Sequence, residues 1–328
     1  MKKRIAIAAG GDSGEYEISI KSAAVVEQHL DKERYDPFVI VFRGTDWSWT
    51  SPSGKKHPIN KDDFSLDTGT EKIIFDAVFI AIHGTPGEDG KLQGYLDMLG
   101  IPYTASDQTT SALTFNKYLC NRVVSSFDVR VPPSKILYHG DDFNSMNIIR
   151  LTGLPCFVKP NKGGSSVGMS KVNNEDDLAT AIEKAFGEDD QVLIEGFIPG
   201  REITCGVIIS GGQSRSLPVT EIITDNTFFD YEAKYTDGVA DEITPADIPD
   251  DVEQLCRTTS EMLYEQLHCF GFVRFDYIFN DDGLFFLEVN TVPGLSPNSI
   301  VPQQAEADGI SLKELFSLSL EQALKRNS

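Results

Sequence analysis

Four polar residues interrupt two apolar runs near the C-terminal end of the chain, and their spacing limits the chemistry they can do. The stretch GFVRFDYIFNDDGLFFLEVNTVPGLSPNS, residues 271–299, reads as two strands, FVRFDYIF and LFFLEVN, joined by Asp281-Asp282-Gly283. Side chains alternate along a strand, so Arg274 and Asp276 share one face of the first and Glu288 and Asn290 share one face of the second. A three-residue loop with Gly283 in the left-handed region suits Asp-Asp-Gly. It sets Asp276 opposite Glu288 and Arg274 opposite Asn290, all four on one side. The competing two-residue turn at Asp281-Asp282 puts the pairs on opposite faces and asks positive φ of two non-glycine residues; the three-residue loop is the expectation. Two carboxylates and an amide oxygen on one face are donors for a hard cation such as Mg²⁺. The ordinary alternative is an exposed strand face, where isolated acids are common. The arginine, the amide and the Pro293-Gly294 loop tip the reading toward a site.

The elements that must hold this hairpin are read in order. Residues 4–103 alternate strands and helices: RIAIAAG, the turn Gly10-Gly11-Asp12-Ser13-Gly14-Glu15, a helix over 18–29, strands at FVIVF and AVFIAIHG, and a helix KLQGYLDMLG closing at Gly100. This predicts an α/β unit on a mostly parallel sheet, with functional loops at strand carboxyl ends. Gly10-Gly11 does not form GxGxxG, which weakens a dinucleotide site. Glu15 at the helix start complements the helix dipole, worth roughly 0.3–1 kcal/mol, and lies beside backbone N–H groups. His83 follows a strand in the glycine- and acid-rich turn HGTPGEDG, where a lone histidine is more often structural than catalytic.

A helix through SALTFNKYLCNRVVSSF then precedes the strand PCFVKP, from which Lys159 emerges before Asn161-Lys162-Gly163-Gly164-Ser165-Ser166-Val167-Gly168. Such a loop cradles phosphates through backbone N–H groups or is a plain hairpin loop; the lysine precedes the glycines, so it is not a Walker A motif. Glu195 and Glu202 bracket the Pro199-Gly200 connection between two further strands. The polar, breaker-rich NTFFDYEAKYTDGVADEITPADIPD carries Phe228, Phe229, Tyr231, Lys234 and Tyr235, a composition that fits a docking lid. A helix over 250–270 leads into the hairpin, and an amphipathic helix from Ser311 ends the chain.

The 328 residues suffice for two or three domains, with 40% hydrophobic and 24% charged content in the ordinary globular range. A formal net charge of −21 argues against nucleic acid as main partner. No apolar run approaches the roughly 20 residues of a membrane span. Ile5 to Ala9 is too short for a signal h-region and reads as a buried strand, so a cytoplasmic location is expected. The five cysteines lack CxxC spacing and read as reduced thiols.

In order, GGDSGEYEIS, HGTPGEDGKLQG, LGIPYT, the SAL…NK helix, FVKPNKGGSSVGMSKV, the GRE turn, FFDYEAKY, RFDYIF and LEVNTVPGLSPNSIVP resemble the motifs of the D-alanine–D-alanine ligases, members of the ATP-grasp superfamily. The resemblance spans essentially the whole chain. It implies an N-terminal α/β substrate-binding domain (1–105), a central ATP-grasp subdomain (106–192) and a C-terminal subdomain (193–328) with a mobile lid at about 224–243, ATP lying between the last two. By the same resemblance Lys117, Lys159 and Lys234 reach the phosphates, Ile198 lines the adenine pocket by backbone contacts, and Glu202 takes the ribose hydroxyls. Glu195 joins this nucleotide-binding set. Asp276, Glu288 and Asn290 are similar to ligands of two Mg²⁺ ions, with Mn²⁺ as a substitute. Arg274 and the Gly294 N–H are expected to stabilise the tetrahedral oxyanion. Glu15 resembles the partner of the first D-alanine's ammonium, His83 a contact to substrate carboxylate, and Ser299 the holder of the second carboxylate. Ser165 and Tyr235 resemble the partners that, with Glu15, latch the lid over the site.

An EAKY lid implies dipeptide formation for peptidoglycan precursors rather than D-alanyl-D-lactate, and a homodimer is expected. The chain departs from many relatives at Gly163, Gly196 and Asn116, and near Ser299 at Asn298 and Ile300. The alternatives are a related ligase taking D-lactate or D-serine second, an inactive nucleotide-binding regulator, and an NAD-linked oxidoreductase, which lacks its fingerprint.

Overall fold

The structure, a computed structural model, describes residues 2–164, 167–224 and 240–326. The opening strand decides the first unit. In β1 (Lys3–Gly10) Ile5, Ile7 and Ala9 enter one core while Ala6 and Ala8 enter another. A strand apolar on both faces belongs at the middle of a sheet covered on both sides. β2 (Tyr35–Arg43) lies parallel to it, and β3 (Asp46–Thr50), β4 (Lys56–Asn60), β5 (Ser65–Asp67) and β6 (Lys72–Ile73) continue outward as an antiparallel meander. β7 (Ala77–Ile80) pairs in parallel on β1's other side, completing the order β6-β5-β4-β3-β2-β1-β7. The expected mostly parallel sheet is therefore parallel only through β2-β1-β7. The meander's strands are short and carry too little periodicity to show in the sequence. Helices α1 (Tyr16–His29) and α2 (Lys91–Leu99) pack on this unit, α2 ending at Gly100 with φ 67°.

The single helix expected through 111–127 is two: α3 (Gln108–Phe115) and α4 (Lys117–Ser125). Asn116 between them is extended, and its side chain accepts from the Leu119 N–H as the cap of α4. Cys120 and Val124 of α4 pack into the core of the third sheet.

The second sheet runs β10-β9-β11-β8, from β8 (Ser134–Tyr138), β9 (Cys156–Pro160), β10 (Ser170–Val172) and β11 (Gln191–Gly196), and is backed by α5 (Ser145–Thr152) and α6 (Leu178–Phe186). The third contains β12 (Arg201–Ser210), β13 (Gln213–Ser216), β14 (Thr220–Thr224), β15 (Ala240–Ile243), β16 (Val273–Asn280) and β17 (Gly283–Asn290). Its order is β15-β14-β12-β16-β17, with β13 paired to β12, and α7 (Asp250–Gln266) packs on its inner face. A division of the chain at 192/193 runs through β11; the sheets part at the 197–200 connection.

Helices α8 (Ile300–Ala307) and α9 (Leu312–Lys325) close the chain. Val301, Ala305, Phe316 and Leu320 share a core with Ile5, Ile7 and Phe79, so the last helices cover a face of the first sheet. Among the described residues no helix is long and apolar enough to cross a membrane.

Candidate active site

The β16–β17 hairpin brings the four polar residues together by a route other than the expected loop. Asn280 pairs with Gly283, so the turn is the two-residue Asp281-Asp282 turn, and neither aspartate takes positive φ. Continued regularly, that register would set Asp276 opposite Leu287 and turn Glu288 toward the core. The ladder instead shifts between Asp276 and Tyr277: Tyr277 faces Phe286, Asp276 faces Glu288 and Arg274 faces Asn290. Leu287 is the extra residue of a β-bulge, a device that re-aims side chains beside active sites. Leu287 and Glu288 both line the cleft while the flanking Phe286 and Val289 are buried. The three-residue loop is corrected; the cross-strand pairs expected from it are present.

Asp276 is 5% exposed and accepts from four donors. The Arg274 guanidinium binds both its oxygens, Nε at 2.8 Å and a terminal nitrogen at 2.7 Å, Thr204 Oγ1 donates at 2.6 Å and Asn290 Nδ2 at 3.0 Å. Burial works against the arginine's charge, but Asp276 outweighs it and holds the guanidinium pKa above its ordinary value. Lys117, the first residue of α4, reaches across with Nζ 3.7 Å from Glu288 Oε2 and donates to the Gly163 carbonyl at 2.6 Å.

These residues lie along a cleft of about 610 Å³ between the second and third sheets. On its other wall Lys159 Nζ meets Glu195 Oε2 at 2.6 Å, and Asn121 Nδ2 donates to Glu195 Oε1 at 3.0 Å. Burial lowers the Lys159 pKa, yet the Glu195 charge and hydrogen bond more than compensate and keep it raised. Glu202 and Ile198 line the same cleft, whose far end is walled by Phe157, Met169, Phe197 and Ile222. Gly196 has no room for a side chain, since a Cβ there would meet the Thr152 carbonyl oxygen at 2.5 Å.

The first sheet contributes the opposite end. Glu15 precedes α1 but its side chain does not cap the helix; it lines the cleft, so closely that a Cβ on Gly164 would come within 2.8 Å of Glu15 Oε2. His83 is 5% exposed, with Nδ1 2.9 Å from the Val292 carbonyl and Nε2 2.9 Å from Ser22 Oγ. Burial lowers its pKa, against the pull of Glu15. Glu88 accepts from the Gly84 N–H at 3.0 Å, and burial with the nearby Glu15 charge pushes its carboxyl up to about 7. Gly294 sits against Ser299, where a Cβ would lie 2.7 Å from Ser299 Oγ; that hydroxyl is 2.8 Å from Ser296 Oγ. Ser165, Lys234, Tyr235 and most of the expected lid lie outside the described residues.

Residues 4–106 match the family model for the D-ala D-ala ligase N-terminus and residues 123–321 that for its C-terminus. The chain belongs to the D-alanine–D-alanine ligase family. It is 45% identical over 318 residues to the D-alanine–D-alanine ligase of Phocaeicola vulgatus, covering 97% of this chain and 98% of that one. It is 47% identical over 322 residues to that of Flavobacterium johnsoniae, covering 98% and 99%. The VanG D-Ala:D-Ser ligase from Enterococcus faecalis superposes with a TM-score of 0.87 at 31% identity, over 98% of this chain and 100% of that one. The Bacillus anthracis D-alanine–D-alanine ligase complexed with ATP gives 0.78 at 27% identity, over 99% and 98%. The family member described here is an ATP-dependent ligase of ATP-grasp architecture.

Several residues of this ligase escape a motif reading. Thr204 orients Asp276, and buried Asn161 fixes the start of α4: its carbonyl accepts from the Lys117 N–H at 3.1 Å and its Oδ1 from the Tyr118 N–H at 2.9 Å. Gln304 holds the Gly206 N–H at 2.9 Å and the Thr204 carbonyl at 3.0 Å. Their partners lie far off in sequence, so no local pattern marks them. Leu287 carries no signal either, because beside Glu288, Val289 and Asn290 an apolar residue at 287 fits plain alternation.

Proposed function

We propose that the chain joins two D-alanines into D-alanyl-D-alanine in two steps, for peptidoglycan precursor synthesis in the bacterial cytoplasm. The observation that carries this reading is the convergence of Lys117, Lys159, Arg274, Asp276 and Glu288 in one cleft that Glu15 enters from the first sheet. A carboxylate oxygen of the first D-alanine attacks the γ-phosphorus of ATP and ADP leaves. The amine of the second then attacks the acyl phosphate, loses a proton, and expels inorganic phosphate.

Lys117 and Lys159 neutralise phosphate charge and hold the chain of phosphates along the cleft. Glu202 takes the ribose, and the apolar end with Ile198 takes the base. Glu195 keeps Lys159 charged and aimed. Glu15 binds the first ammonium, Ser299 the second carboxylate, and Arg274 with the Gly294 N–H receives the developing oxyanion. Gly294 lacks a Cβ, so substrate can approach its backbone. Ser165, Lys234 and Tyr235 close the lid, which protects the acyl phosphate from water.

The oxygen donors are of the kind Mg²⁺, or Mn²⁺ in its place, takes, and the ion would replace one of the four hydrogen bonds Asp276 accepts. Two carboxylates and an amide, Asp276, Glu288 and Asn290, leave a shell for phosphate oxygens to complete, as this ion prefers. When bound, two such ions would screen the repulsion between the attacking carboxylate and the γ-phosphate. The chain is read as three units, 1–105, 106 to the 197–200 connection, and the remainder, assembled as a homodimer.

The D-Ala:D-Ser ligase shares the fold, so the second substrate is assigned from the EAKY sequence and the naming of the relatives rather than from architecture. Phosphate release and product analysis with ATP, Mg²⁺ and D-alanine test the reading. D-Alanine-dependent turnover is expected, with dipeptide exceeding depsipeptide when D-alanine and D-lactate are supplied equally at neutral pH. No turnover with D-alanine, or depsipeptide in excess, refutes it.

A further inference from the structure

Both ring nitrogens of His83 are engaged within the protein. A carbonyl oxygen can only accept, so the proton shared with Val292 at 2.9 Å sits on Nδ1, and Nε2 is left to accept from the Ser22 hydroxyl at 2.9 Å. The Val292 N–H faces the Glu88 carboxylate. The carbonyl and the N–H of one residue, two before Gly294, thus both face the 83–88 turn of the first sheet, which fixes the peptide groups on either side of the Val292 Cα. That turn is itself anchored: Ser13 Oγ donates to the His83 carbonyl at 2.9 Å and the Gly84 N–H to Glu88 at 3.0 Å.

We infer that His83, seated by Ser22 and assisted by Glu88, is a positioning residue that clamps the Val292 backbone and so sets where the Gly294 N–H points, instead of binding substrate carboxylate. The inference rests on the ligase reading above. An oxyanion donor works only where the charge develops, and a displacement near 1 Å costs up to about 100-fold in rate. The His83 hydrogen bond to the Val292 carbonyl, with the Glu88 carboxylate beside the N–H of the same residue, supplies that rigidity across the boundary between two sheets. Glu15 and Arg274 are the charged groups whose fields reach the ring.

The state of the clamp is read without activity from the imidazole nitrogens of ¹⁵N-labelled protein. The His83 ring is expected as the Nδ1–H tautomer, unmoved between about pH 6 and 8. The opposite tautomer, or a ring that titrates in that range, overturns the clamp. Kinetics supply the second arm. His83→Gln places its amide toward Ser22 but away from Val292, and is expected to lose roughly 10- to 100-fold in kcat while KM for D-alanine changes less than about threefold. His83→Asn puts an amide nitrogen where Nδ1 stood and recovers most of that loss. A tenfold or larger rise in KM at retained kcat in both variants overturns the clamp in favour of a carboxylate contact. If His83→Gln does not fold, Ser22→Ala takes its place: a lower kcat at unchanged KM supports the clamp and an unchanged kcat overturns it. A wild-type enzyme without D-alanine-dependent turnover would instead refute the ligase reading, leaving the tautomer result standing.

Discussion

Asp276 is surrounded by donors, and that governs what its neighbours do. With Arg274 on both oxygens, and Thr204 and Asn290 beside it, the carboxylate is held rigidly on the cleft face. The side chains are 17% and 7% exposed, so this ion pair is largely removed from solvent. Removing one partner of such a pair costs roughly 3–5 kcal/mol; here the lower end applies, because Thr204 and Asn290 still donate to Asp276. Arg274→Ala is therefore expected to lower the melting temperature and to depress kcat about 100- to 1,000-fold, with ATP affinity changed little, since its second partner is a charge that develops in the transition state. Nucleotide titration beside steady-state kinetics checks this; a large loss of ATP affinity at unchanged kcat would contradict the role. The identities of these residues were readable from alternation along the strands. Thr204 was not, because nothing local ties it to a residue 72 positions later.

At the level of the element, the hairpin shows how a correct facing arises from a turn of another kind. The two-residue turn alone would bury Glu288, and the bulge at Leu287 restores it to the cleft. Burying that carboxylate unpaired would cost far more than the one unpaired ladder position of a bulge. Leu287 also walls the cleft. Leu287→Ala should keep the bulge and remove apolar surface, raising KM for ATP by up to about 60-fold with kcat nearly constant, since each of the three lost carbon groups is worth roughly 0.8 kcal/mol when fully buried against the ligand. Initial rates across an ATP series check it; an equal fall in kcat would mean that the substitution moved Glu288. The break at Asn116 is a second case. A continuous helix fits the residues, but Asn161 supplies partners for the N–H groups of Lys117 and Tyr118, and a new helix starts there.

Over the whole molecule, the last helices return to the first sheet. Phe316, fully buried, packs against Phe79 with ring centroids 5.5 Å apart, and Arg34–Glu321 at 2.7 Å lies at the rim of the same contact. The 291–299 segment is thus held from both sides, by β17 before it and by α8 and α9 docked on the first sheet after it. Phe316→Ala should destabilise by about 3–5 kcal/mol through the cavity it leaves. It should also lower kcat at temperatures where the protein is still folded, because Gly294 and Ser299 depend on that docking. Thermal melts with rates taken well below the transition test both; a melting shift with unchanged kcat would uncouple the docking from the site.

Much of this ligase was determined by its sequence alone. Alternation put polar residues on one strand face, the apolar run from Ile5 to Ala9 marked β1 as a buried strand, and motifs in order named the chemistry. These are local properties, set by side-chain periodicity and by which residues a turn or a phosphate loop tolerates. Tertiary structure decided the rest. It chose the bulge over the three-residue loop, assigned β11 to the second sheet, broke the helix at Asn116, and turned His83 to Val292, 209 residues away. Each depends on partners distant in the chain, where burial requires every polar group to find a mate and no local pattern says which one it will be.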